Sequence, residues 1–179
     1  MKQYTFGIKS YDEVLMGKHL VPEPNICRVE IDYGDAGSWK RTWMYVKTPN
    51  LFKIVNDWKI TLPNEQQVMV PAGFVYDGAS IPFFLQPLIT SFGPAHRGSI
   101  LHDYGYRYNY LLDWDGNKIY VGAGQKFFDG LFREVVAVTS HLKGLATIVW
   151  LGVRAFGKTA WNKRRKEQKD MEEYAIQNT

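Results

Sequence analysis

Val70-Pro71-Ala72-Gly73-Phe74-Val75-Tyr76-Asp77-Gly78-Ala79-Ser80-Ile81-Pro82, followed by Pro87 and Pro94, divides the chain into two kinds of sequence. Prolines and glycines at this density exclude a long helix and favour a shaped loop. Upstream the signals are those of strands and turns. Cys27-Arg28-Val29-Glu30-Ile31-Asp32-Tyr33 alternates apolar and polar residues, as a half-buried strand does, and places Cys27 in the core. Gly34-Asp35-Ala36-Gly37 reads as a turn. Thr42 to Val46, Lys53 to Thr61 and Gln67 to Val70 are further strand candidates, the last two linked hairpin-fashion through Pro63-Asn64.

From Pro94 onward the pattern is helical. Proline suits a first-turn position, and Ser91 is a candidate cap. The expected helices run from about Ala95 to Tyr108, Gln125 to His141 and Leu142 to Gly157, with Asp113 to Asn117 as a loop. The tail from Lys158 to Thr179 holds six Lys/Arg against four Asp/Glu, and reads as a solvated helix or frayed end. The class is therefore α+β: a small N-terminal antiparallel sheet followed by a helical half. Three portions are expected: residues 1–75, β-rich; 76–157, loop plus helical core; and 158–179, charged tail.

The length of 179 residues suffices for one domain with a buried core. Apolar residues make up 45% and charged residues 22%, which argues against disorder. One cysteine excludes an internal disulfide and a cysteine-rich zinc site. The first residues lack the apolar core of a secretory signal, so the expected origin is a reducing cytoplasm. The longest apolar run, Gly144 to Val153, is about half a membrane-spanning length. A net charge of +4 is too small to suggest a dedicated nucleic-acid binder.

The chemistry concentrates in Leu101-His102-Asp103-Tyr104-Gly105-Tyr106-Arg107. On a helix His102 and Asp103 point about 100° apart, while Tyr106 follows His102 by one turn on the same face. Ala95, Gly98, Ser99 and Asn109 keep that face small enough for another element to approach. Asp129 lies on an apolar stripe with Phe132 and Val136, where a carboxylate needs partners. If the two helices pack antiparallel, Asp129 would accept hydrogen bonds from the His102 ring and the Tyr106 hydroxyl. A carboxylate behind an imidazole fixes its tautomer and stabilises the imidazolium, which suits His102 as a general base on water. Asp103, Asp77 and the backbone at Gly78 offer the oxygen ligands that Ca²⁺ takes, beside that histidine.

These residues resemble a known site. Asp77-Gly78-Ala79-Ser80, Phe92-Gly93 and His102-Asp103-Tyr104-Gly105-Tyr106-Arg107 are similar to the D-G-C-S-like loop, F-G and H-D-F-G-Y-R-N-Y helix of bacterial and fungal secreted phospholipases A2. The Asp129 segment and Trp150 to Gly157 are similar to their second catalytic and closing helices. The resemblance implies His102 as general base, Asp129 as its orienting carboxylate and Tyr106 as support for Asp129. It implies Asp103, Asp77 and the Gly78 backbone as calcium ligands. Two cysteines of those enzymes are replaced here by Ala79 and Ser99, so the site lacks the disulfide that the resemblance implies for them.

A wider match runs from Val70 to Pro82 (V-P-x-G-F-x-x-D-G-A-S-I-P), through Leu101 to Arg107 (L-H-D-Y-x-Y-R), to Asp129. On it the chain is identified as a member of a family of small proteins found mainly in tailed phages and prophages, filed as a domain of unknown function. The expectation is a phage-encoded, calcium-dependent lipid-ester hydrolase of the phospholipase A2 type, acting on phospholipid or at a membrane surface. Trp150, Phe156 and Trp161 beside Arg154, Lys158 and Lys163 to Lys166 suit such a surface. The competing expectations are a non-catalytic virion or accessory protein that binds phage proteins, and a metal-dependent phosphohydrolase. His19, His96 and His141 show no metal-ligand spacing, which argues against the latter.

Overall fold

The computed structural model describes residues 21–30, 37–39, 51–76 and 94–177. It is α+β, with antiparallel sheets in the N-terminal part followed by three helices. The strand candidate Thr42 to Val46, the Ser91 cap and the candidate calcium-loop residues Asp77 and Gly78 lie outside the described residues.

The expected single sheet is two. The first has the order β1 (Ile26–Arg28), β2 (Phe52–Ile54), β5 (Val75–Tyr76). The second has the order β3 (Trp58–Thr61), β4 (Gln67–Val70), β6 (Leu111–Leu112), β7 (Lys118–Ile119). All pairs are antiparallel, with Phe52 opposite Tyr76 and Trp58 opposite Val70. The span Lys53 to Thr61, expected as one strand, is broken after Ile54 and shared between the sheets. The cause is a side chain competing for backbone: Asp57 Oδ1 accepts from the Ala72 amide at 2.8 Å, while the Val55 amide turns to the Asn25 carbonyl. On both sides of the break the alternation holds, with Phe52, Ile54, Trp58 and Ile60 buried and Lys53 and Lys59 exposed. Cys27, expected in the core, is exposed; among the described residues its strand β1 pairs with β2 alone.

The hairpin β6–β7 was not anticipated. The loop Asp113 to Asn117 is its turn, held by Asp113 accepting from the amides of Asp115 and Asn117. The indole of Trp114 then donates to the carbonyls of Ile60 and Val68, which ties the turn to the second sheet.

Helix α1 (Pro94–Tyr108) begins on the proline and stops where Asn109 takes a left-handed conformation with φ 57°. Helix α2 (Gln125–Ser140) ends in the same way at His141, φ 56°. Helix α3 (Lys143–Gln177) absorbs both the expected third helix and the tail into 35 continuous residues, a length of about 50 Å. Its second half is not simply solvated. Trp161 sits edge-on against Tyr106, with centroids 5.1 Å apart, and Arg165 Nη2 donates to the carbonyls of Tyr106 and Arg107 at 2.5 and 2.7 Å. Those carbonyls are the unsatisfied C-terminal end of α1, where a cation also meets the helix dipole favourably.

Helices α1 and α2 pack antiparallel. Small residues make the approach possible: a Cβ on Gly98 would fall 2.9 Å from the Phe132 ring, and one on Gly105 would overlap the Phe128 ring. The core joins both parts of the chain, with Ile54, Ile60 and Val70 from the sheets meeting Ile100, Leu101, Phe128 and Leu131 from the helices.

Candidate functional site

The floor of the site is Asp129, fully buried on the inner face of α2. Burial pushes its pKa upward, but hydrogen bonds from His102, Tyr106 and Arg154 more than offset this and hold it below the usual carboxylate range. Its Oδ1 lies 2.9 Å from His102 Nε2 and 2.6 Å from the Tyr106 hydroxyl. Its Oδ2 accepts from Arg154 Nη1 at 2.8 Å. The Tyr106 hydroxyl in turn accepts from Gln125 Nε2 at 3.0 Å, so Tyr106 stays a donor toward Asp129.

An ionised carboxylate only accepts, which assigns the proton to His102 Nε2 and leaves Nδ1 as the basic nitrogen of the neutral ring. Nδ1 lies 3.7 Å from Asp103 Oδ1, the neighbouring carboxylate on α1. Burial works to lower the His102 pKa, but the interactions with Asp103 and Asp129 outweigh it, and the net shift is upward. The ring is fixed between Tyr106, at 3.9 Å between centroids, and Phe132, at 5.4 Å. The Tyr106 hydroxyl is held far from ionisation by burial and by the Asp129 charge.

The structure thus brings together His102, Asp103, Tyr106 and Asp129. Among the described residues there is no group of three or more His, Cys, Asp or Glu suited to a metal ion, and Asp77 and Gly78 are not among those residues. What is described at the loop's entrance is Tyr76, whose ionisation is disfavoured by burial and by the Asp103 charge nearby.

Sequence reasoning missed four contributors. Arg154, expected among the outward basic residues, turns inward to Asp129, and Trp161 turns inward to Tyr106. Gly157 stands where a Cβ would lie 2.5 Å from the Tyr106 hydroxyl, so α3 needs glycine to close over the site. The fourth is Gln125, whose amide donates to the Tyr106 hydroxyl. The one available signal was the cost of a buried carboxylate, which calls for a cation as well as a histidine.

A second buried histidine lies on the first turn of α1. His96 Nε2 is 2.7 Å from the Tyr76 hydroxyl, and burial lowers its pKa, so it is the neutral partner of that bond. Beside it Arg97 pairs with Glu23, and Ser99 Oγ donates to the His96 carbonyl at 2.7 Å. Ser99 is thus buried and satisfied within its own helix.

The molecule is thus an α+β protein in which two antiparallel helices share a His–Asp–Tyr cluster. The family model described as "Protein of unknown function (DUF1353)" matches residues 52–153, more than half of the chain, and the chain belongs to that family. No curated protein and no solved structure matches it.

Proposed function

We propose that the chain is a phage-encoded lipid-ester hydrolase of the phospholipase A2 type, dependent on calcium. The observation that carries the reading is the contact of 2.9 Å between His102 Nε2 and a fully buried, ionised Asp129. That contact leaves His102 Nδ1 as the base. Water at Nδ1 loses its proton to the ring as its oxygen attacks the ester carbonyl carbon. Asp129 stabilises the imidazolium so formed, and Tyr106 and Arg154 keep Asp129 in place. The imidazolium then returns the proton to the leaving alkoxide as the tetrahedral intermediate collapses to a fatty acid and an alcohol.

The donor chemistry beside Nδ1 suits a hard cation. Asp103 is a carboxylate, and Tyr76, next to Asp77, lies within reach of the Asp103 charge. Asp103, Asp77 and the Gly78 backbone would hold Ca²⁺, which when bound supplies polarisation of the ester carbonyl and compensation of oxyanion charge. The phage origin rests on the sequence resemblance given above.

The test is fatty-acid release from phospholipid in mixed micelles, with calcium or with EGTA, beside His102→Ala. Release by the wild type that EGTA or the substitution abolishes supports the reading. A wild type as inactive as His102→Ala, with calcium present, leaves the non-catalytic accessory role in its place.

A further inference from the structure

Helix α3 carries an outward face that no described element covers. Its inner side is occupied by Ala146, Val149, Val153, Arg154, Gly157, Trp161 and Arg165. The opposite side exposes Ile148 at 46%, Leu151 at 55% and Ala155, which recur at helical spacing along one stripe. Toward the C-terminus the same side continues with Lys158, Lys166 and Lys169, all exposed, with Lys163, 4.0 Å from Glu167, and the exposed Asp170 at its margins. No acidic residue occurs between Glu134 and Glu167. Two arginines of that span are spent inside the molecule, Arg154 on Asp129 and Arg165 on the end of α1. The lysines are what the face presents.

We infer that this face of α3 is a docking surface for an anionic phospholipid bilayer, with Ile148 and Leu151 entering the headgroup boundary and Lys158, Lys166 and Lys169 facing lipid phosphates. The charge distribution selects the occupant. A second copy of the chain does not complement the face. Antiparallel pairing would set the lysines of each copy against the aliphatic residues of the other, and parallel pairing would set lysine against lysine. An anionic interface accepts both halves at once: apolar area is removed from water, and each lysine near the surface strengthens binding roughly fivefold. The helix is not apolar enough to cross a membrane, so the contact is one of a helix lying along the surface. Of the residues expected from sequence, Lys158 and Lys166 lie on this face, whereas Trp161 packs on Tyr106 and Arg154 pairs with Asp129. The surface stands on α3 alone and does not depend on the reaction proposed above.

The experiment is co-sedimentation of the full chain with sucrose-loaded vesicles in EGTA. One set is phosphatidylcholine alone; the other adds phosphatidylglycerol. The wild type should pellet with the anionic vesicles and not with the neutral ones, and high salt should release it. Ile148→Ser with Leu151→Ser, and separately Lys158→Glu with Lys166→Glu, should each weaken partitioning by about tenfold or more at an unchanged melting temperature. His102→Ala should pellet like the wild type, whatever the outcome of the hydrolysis assay. A wild type that stays in the supernatant with both vesicles overturns the inference. So do surface variants that pellet undiminished, or a stable dimer that Leu151→Ser dissociates while vesicle binding is absent.

Discussion

Arg154 Nη1 stands 2.8 Å from Asp129 Oδ2, the oxygen that His102 and Tyr106 leave free. The carboxylate therefore has a partner on each oxygen, and α3 is joined to the two helices of the site through a charge rather than through packing alone. Removing the guanidinium would leave a buried anion half satisfied. Arg154→Met is expected to lower unfolding free energy by about 2 kcal/mol, below the full cost for a buried pair because the arginine is a third exposed and water can enter. Urea denaturation with tryptophan fluorescence reads the loss. An unchanged midpoint would mean that the contact contributes nothing.

The stability of the folded chain should pass through a maximum near the ordinary imidazole pKa of 6.5. His102 is raised in the fold, so its contribution is complete below 6.5 and is lost as pH climbs through its folded value. His96 is lowered, so its contribution is complete above 6.5 and is lost as pH falls toward its folded value. Asp129, lowered from 3.8, adds a further loss on the acid side. Melting temperature against pH should show both limbs. His102→Gln should flatten the alkaline limb and His96→Gln the acid one near neutrality, and a profile indifferent to either substitution would contradict the assignment.

Two glycines on facing helices should respond in opposite directions to the same change. Gly105→Ala puts a methyl into the Phe128 ring, and the strain should cost about 2 kcal/mol. Gly130→Ala on α2 meets nothing within 4 Å and gains helix propensity, worth roughly 0.5–1 kcal/mol of added stability. Paired thermal melts distinguish them, and destabilisation by both would contradict the packing described.

Arg165 caps α1 from another helix. Arg165→Ala should cost about 1–2 kcal/mol through the loss of both carbonyl bonds, and Arg165→Lys should recover only part, because an ammonium lacks the planar fork. Amide exchange at the last turn of α1 should accelerate in both variants. Equal recovery by lysine would point to charge alone.

The legible parts of the fold are those where short-range pattern and packing agree. Pro94 marks the start of α1 to within a residue, and the apolar stripe of Phe132 and Val136 behind Asp129 locates α2. The split of β2 from β3 was not legible, because Ile54 and Trp58 keep the same alternation across a break that a distant bond, Asp57 to Ala72, imposes. Strands of two residues such as β6 and β7 carry no period to read. In the site, His102, Tyr106 and Asp129 were legible because a carboxylate on an apolar stripe demands partners and a one-turn spacing supplies them. Arg154 was not, since nothing local decides whether a single arginine at the end of an apolar run turns to solvent or to a buried anion.

The most direct measurement is the initial rate of fatty-acid release from mixed phospholipid micelles in calcium, for wild type, Asp129→Asn and His102→Ala. Measurable release by the wild type is expected, with a fall of about a thousandfold or more in Asp129→Asn, which keeps the shape but loses the charge behind the imidazole, and none above background in His102→Ala. Equal rates for the wild type and His102→Ala would contradict the proposed activity.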